Sequence, residues 1–458
     1  MTNSRGRIDL TQGGIIRQVL RFALPLCAGN VLQQLYTTVD TLVIGNYCSS
    51  EALAAVGTSS QPVELLLCLF MGLGGGVSIL VSQCTGSGDT GRMRQVTATA
   101  TSFLYLCAVP LTVLGILLGP QLLGLMAVPE DTMDLARTYL SLLLLGTLAN
   151  LGYNTNAGVL RGMGDSTATL RFLVFSCGVN VAGDLLLVAG LGMGVAGAAL
   201  ATIGSQLTSW LLSVRYIRRR YPELDYSILP RRIHREELRQ IVRIALPLGL
   251  NNSLYSLGHL VLQTMINTQG SAFMAACSVA TRVTNISNVT ITSLASAATT
   301  FSGQNLGAEN YDRLYRGGRQ IPLCSGGITL CLGLLMTAFC RPVLGLFTRD
   351  AAVLALAERY IRAVLPFFWT YTVFNSILSF VNGMGQVRYT TVVNLLMLWA
   401  VRVPVAWVIT RFFDGTWVMV SYPISFTFGM ICMLLFYFSR RWKEIRRLAG
   451  ERTGGAER

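Results

Sequence analysis

RFALPL at residues 21–26 returns as RIALPL at 243–248, 222 residues further along the chain. The echo continues well beyond the hexapeptide. Gln83, Gly86 and Arg92 recur as Gln304, Gly307 and Arg313 at an offset of 221, and Asn154, Gly162, Met163 and Gly164 recur at the same offset as Asn375, Gly383, Met384 and Gly385. Agreement of the offset across separate segments marks one unit written twice. The residues between these markers are mostly apolar, and a duplicated, apolar chain is most often a transporter.

Composition narrows the class. Mean hydropathy is +0.53 and 13% of the 458 residues are charged, against about 25% in soluble domains. Apolar stretches of membrane-spanning length recur from end to end, so an all-α polytopic membrane protein is expected. The first apolar segment outruns a signal-peptide core of roughly 7–15 residues and has no small-residue cleavage signature, which makes it a retained span. The 11 cysteines stand singly, Cys68, Cys107, Cys177 and Cys331 within apolar segments, where they act as small hydrophobes and outline no disulfide framework.

Twelve transmembrane helices are expected near 16–43, 55–80, 96–118, 137–158, 168–189, 195–217, 240–266, 275–300, 320–342, 358–380, 389–410 and 417–438. The second and eighth are rich in Gly, Ser, Thr and Asn, which suits helices packed on neighbours or lining a polar cavity. Six spans per half bring both halves into the membrane in the same direction, so a pseudo-twofold axis along the membrane normal should relate two six-helix lobes with a cleft between them. The divisions are an amino-terminal lobe over 1–217, a cytoplasmic linker over 218–238 broken by Pro222 and Pro230, a carboxyl-terminal lobe over 239–439 and a basic tail over 440–458. With both termini in the cytoplasm, the inner loops and helix ends hold 28 of the 36 Lys and Arg residues, as the positive-inside rule requires.

The net charge of +14 arises mainly from those loops. No soluble module presents it, and aromatics are not interleaved with the arginines, so topology and contact with anionic lipid account for it and nucleic acid is not a partner. His234 in the linker is read as an exposed surface residue. The MGLGGGVS run at 71–78 lacks the Lys and spacing of a phosphate loop and lies inside an apolar span, so it reads as close helix packing. The loops at Gly86, Gly88 and Asp89 and at Gly162, Gly164 and Asp165 should tie spans together. Pro25 and Pro247 suit either a bend or a helix start. With no nucleotide motif, ion gradients are the expected energy source.

Ionisable groups inside spans cost several kcal/mol against lipid and point to function. Asp40 lies in span one, and Asp184 lies in span five with Asn180 one turn before it on the same face. Two carboxylates and an amide in one lobe are suited to hold a sodium ion or a proton, or else one acid bonds across helices as a structural group. Glu64 near the start of span two is a further candidate. The second half has Val261 or Leu262 where Asp40 would fall and Val405 for Asp184; its intramembrane groups are instead His259, Arg282 and Arg402, taken as cleft or gating candidates with Gln33 and Tyr36 of span one. Tyr36, Trp369 and Tyr371 are also candidates for an amphipathic cargo surface.

The ALPL start followed by Gln33, Tyr36, Asp40 and Gly45, then LAAVG at 53–57, SQCTGSGD at 82–89 and RGMGDS at 161–166, resembles the bacterial multidrug and toxic compound extrusion (MATE) transporters of the MOP flippase superfamily over essentially the whole chain. The resemblance implies a twelve-helix, two-lobe secondary antiporter, not an enzyme, which exports amphipathic, often cationic compounds from the bacterial inner membrane in exchange for sodium or protons, with no other cofactor, and which works as a monomer. The DinF-like branch places its ion-coupling residues in the amino-terminal lobe. Its Asp, Asn, Asn, Asp and Thr fall on Asp40, Asn154, Asn180, Asp184 and Thr202, and only this resemblance adds Asn154 and Thr202. The Glu of span seven and Asp of span eight used by another branch are missing here. A flippase for lipid-linked oligosaccharide or another anionic lipid-like cargo shares the ground plan and is the alternative.

Overall fold

A computed structural model describes residues 7–125 and 128–437; the side chains of residues 50, 60–66, 68, 69, 122, 125 and 131 fall outside that description, as does the basic tail. Glu64 therefore has a helical backbone but no described side chain. Among the described residues the helices group into twelve successive spans. The first three are Ile15–Tyr47, Ser50–Ser87 and Thr90–Leu125, the fourth is Glu130–Leu145 with Thr147–Gly162, and the fifth is Ser166–Asp184 continued by a π-helical turn, Leu185–Gly190. Gly194–Arg220 closes the first half. The second half runs through Arg235–Asn267, Ser271–Gly307 and Tyr311–Ala338, then Ala351–Val364 with Phe368–Gly383. Its eleventh span is Val387–Leu395, a π-helical Leu396–Arg402 and Val403–Phe412, and its twelfth is Gly415–Val420 with Ser421–Tyr437.

Among the described residues, eight of these are long and apolar enough to cross a membrane, and span four joins them if its two pieces, bent by 44°, count as one. Spans seven and eight fall short because polar and small residues dilute them, among them Asn251, Asn252 and Ser253 of span seven. Packing explains their tolerance. A methyl group added at Gly74 would sit 2.7 Å from the Asn154 carbonyl oxygen, and one at Gly76 would sit 3.1 Å from Ala245 Cβ, so the glycine run of span two brings backbones together as expected.

The mirrored loops are helix caps. Asp89 Oδ1 accepts from the Arg92 backbone N–H at 2.8 Å and Asn310 Oδ1 from that of Arg313 at 3.3 Å, so equivalent residues start spans three and nine. Asp165 caps span five through Ala168 N at 3.1 Å and accepts the hydroxyls of Tyr216 at 2.7 Å and Tyr221 at 2.9 Å. A Cβ at the neighbouring Gly162 would lie 2.7 Å from Ser78 O; its counterpart Gly383 is pressed in the same way against Thr299 O and Ser302.

Contacts divide the chain into two compact units. The first is built on Ala28–Ser253 with the chain start up to Ile8, the second on Asp9–Cys27 and Leu254 onward. Each unit thus takes in the start of the other half's first helix. In the first, Arg92 Nε donates to Glu237 Oε1 at 3.1 Å and Nη2 to Gln240 Oε1 at 2.6 Å. In the second, the equivalent Arg313 donates to three carbonyls, Leu10 at 3.0 Å, Gly13 at 2.6 Å and Gln12 at 2.9 Å. Pro25 and Pro247 lie well inside helices that begin at Ile15 and Arg235, which removes a helix-start role for both.

Residues 221–234 are strapped to the first unit. Tyr226 donates its hydroxyl to Asn156 at 2.6 Å, and Arg231 N donates to Ser102 Oγ at 2.8 Å. Asp225, at φ 44°, pairs with Arg94 and Arg231, both at 2.6 Å, and the Arg231 hydrogen bond holds its carboxyl below the usual carboxylate range. His234 is half-buried, not exposed, with its backbone N–H donated to Thr99 Oγ1 at 3.2 Å.

Candidate functional site

In the first unit, the helical spacing of span five puts Asn180 and Asp184 on its inner face, and both are fully buried. Asp184 is the last α-helical residue before the π-turn, a local widening that frequently marks functional positions. Span one brings Asp40 alongside, its carboxyl within hydrogen-bonding reach of Asp184, and Tyr36 lies one turn before it. Among the described residues, Asp40 Oδ1, both Asp184 oxygens and both amide atoms of Asn180 are buried without a hydrogen-bond partner. Buried polar atoms are normally satisfied, so five such atoms on three side chains require something between them.

A cavity of about 260 Å³ opens beside this cluster, and Tyr36, Asp40 and Thr202 line it. Asn154 does not reach it directly. Its Nδ2 turns back along span four to the Asn150 carbonyl at 2.9 Å and to Asn150 Oδ1 at 3.1 Å, and Asn150 is the residue that lines the cavity. Thr147 and Gln206 line it too and were missed from sequence. The signal was present, since Asn150 precedes Asn154 and Gln206 follows Thr202 by one helical turn. Gln33 is exposed and its carbonyl accepts from Thr37 Oγ1 at 3.3 Å, leaving it outside the cavity lining. What the cluster can do chemically is hold one positive charge. Two carboxylates this close repel each other unless a cation or a proton is shared between them.

The second unit holds the basic candidates. Arg402, the last residue of the π-turn in span eleven, is fully buried. Its Nε donates to Ser425 Oγ at 2.8 Å and its Nη1 to the Tyr255 hydroxyl at 3.4 Å. His259 is exposed and lies one turn after Tyr255, their ring centroids 5.3 Å apart. Arg282 is exposed on span eight. Tyr371 packs at 4.4 Å on Phe426, within the same aromatic cluster.

Comparison with known proteins agrees with the architecture. The MatE family model matches residues 25–186 and 247–408, one match in each half. The probable multidrug resistance protein YoeA of Bacillus subtilis is 30% identical over 452 residues, covering 94% of this chain and 96% of that one. YpnP of the same organism, also a probable multidrug resistance protein, is 28% identical over 439 residues, covering 96% and 98%. A solved outward-facing MATE transporter superimposes with a TM-score of 0.89 at 24% identity, over 98% of this chain and 99% of that one, which establishes the shared fold. The chain belongs to the MATE family and is a multi-pass secondary active transporter.

Proposed function

We propose that the first unit carries the coupling site, and that Asp40, Asp184 and Asn180 bind one sodium ion or proton per cycle while Thr202, Tyr36 and, through Asn150, Asn154 shape its approach. The five unpartnered buried polar atoms carry this reading. Family members use sodium or protons as coupling ions, and the same oxygen cluster serves either. Capture of the cation removes the repulsion between the two carboxylates, which changes the packing of span one against span five and favours release of an amphipathic organic cation. Loss of the ion to the cytoplasm restores the charge and readies the site for new cargo.

The protein acts as a monomer of the bacterial inner membrane, its lobes six spans each, with both termini cytoplasmic; the basic inner loops support that orientation. The test is export of a fluorescent cationic dye from proteoliposomes under independent sodium and pH gradients. Export driven by one gradient in the parent and lost in Asp40→Asn and Asp184→Asn is expected. Undiminished gradient-driven export in both variants would remove the site.

A further inference from the structure

The second unit buries a full positive charge that the coupling cycle does not use. Arg402 is fully buried within the span that repeats span five, and among the described residues no carboxylate pairs with it. Three aromatic rings surround its guanidinium carbon, Tyr422 at 4.7 Å, Phe426 at 4.9 Å and Tyr255 at 5.9 Å. Such contacts and the two hydrogen bonds offset part of the desolvation, yet they supply no negative charge. Nη2 has no hydrogen-bond partner at all among the described residues. A buried cation with one nitrogen unpaired is a costly arrangement in the membrane, and its natural complement is an anion presented to that nitrogen.

Geometry limits what that anion is. Nε and Nη1 are already engaged by Ser425 and Tyr255, so a single nitrogen edge is open, which suits one carboxylate better than a phosphate with its larger demand for donors. The exposed His259 lies one turn after the half-buried Tyr255 on span seven, and its ring, with those of Tyr255 and Tyr422, forms an aromatic wall that ends at the guanidinium. Flat aromatic molecules fit such walls. We propose that Arg402, with Tyr255 and His259, forms a binding site for the carboxylate of an amphipathic aromatic compound. The site lies wholly within the second unit, distinct from the acidic cluster of the first, and it deepens the export function, on which it rests for the delivery of cargo.

The experiment uses a matched pair of xanthene dyes, one with a free carboxylate and one as its methyl ester, titrated against the full chain in lipid nanodiscs. The parent should bind the acid more tightly than the ester. Arg402→Gln should erase that preference, with acid affinity falling at least about thirtyfold, the size expected when one partner of a buried charged pair is truncated. Arg402→Lys keeps the charge but not the fork and should retain part of the preference. Should Arg402→Gln fail to fold, Tyr255→Phe and Ser425→Ala leave the guanidinium in place and should each weaken acid binding severalfold while ester binding holds. Equal binding of acid and ester by the parent, or a preference that survives Arg402→Gln, would overturn the proposal. So would loss of the preference in millimolar chloride, which would make the site one for an inorganic anion. Ester export is measured in parallel: its failure beside an intact acid preference strikes the transport reading and supports the anion site.

Discussion

Replacing Asp40 with Asn should make the ion-free protein more stable and the transporter worse. Two carboxylates about 4 Å apart at an effective dielectric near 20 repel by about 4 kcal/mol. Asp184 is fully buried and Asp40 half-buried, so solvent reaches one side of the pair and about 2 kcal/mol of that is a fair expectation. Removing one charge releases that amount, a rise in Tm of about 2 °C by the usual scaling for a chain of 458 residues. The same change deletes an attraction for a bound cation of similar screened size, about 2 kcal/mol, or roughly thirtyfold in affinity. Thermal unfolding in detergent, with sodium exchanged for choline at constant ionic strength, reads both. The variant should unfold later than the parent without sodium, and any sodium-dependent rise seen in the parent should disappear. A variant that unfolds earlier than the parent in choline would refute the repulsion on which the coupling site is built.

Further predictions concern the scaffold. Arg92→Ala should lower stability by about 1–3 kcal/mol, below the usual cost of breaking a buried pair because Arg92 is partly exposed, and Glu237→Gln should cost less; equal thermal stability of Arg92→Ala and parent would discount the pair. Gly162→Ala and Gly383→Ala should each cost about 1–3 kcal/mol by forcing a methyl group onto a neighbouring backbone, so matched losses in the two halves are expected in a thermal scan and a neutral Gly162→Ala would count against that packing. Asp225 has a folded pKa held down by Arg231, so its contribution is in place above the unfolded value near 3.9 and is lost as pH falls through the lower folded value. Hydrogen exchange of residues 221–231 should accelerate over that acidic window in the parent, and unchanged protection would show that the ion pairs do not hold the strap.

Much of this was legible before any coordinates, for physical reasons that differ by feature. Apolar length and the repeat place twelve spans because each must cross the same thickness of lipid, and the helices overrun the expected edges chiefly where polar caps such as Asp89 and Asn310 extend them. Asn180 and Asp184 could be paired on paper because helical spacing is local. Their approach to Asp40, and the part played by Asn150, are tertiary facts, and polar residues one turn from a candidate were the only hint. The ring of Tyr255, Tyr422 and Phe426 around Arg402 had no local signature, because span seven lies about 150 residues from span eleven and nothing in the intervening sequence marks the encounter. His234 was misjudged because its arginine neighbours suggested solvent, whereas the Tyr and Ser residues of the first unit draw the whole strap inward.

The paired arginines at the starts of spans three and nine have a consequence in time. Arg92 lies 145 residues before its partner Glu237, so by the time the glutamate is made the arginine is already waiting. For Arg313 the order is reversed, since the Leu10 carbonyl it holds was made 303 residues earlier. At about 5–20 residues per second, Leu10 remains without this partner for roughly 15–60 s after it leaves the ribosome. The segment around Leu10 is thus among the later parts to be secured, and Leu10, fully buried at the end, spends that interval as an apolar side chain open to whichever surface reaches it first.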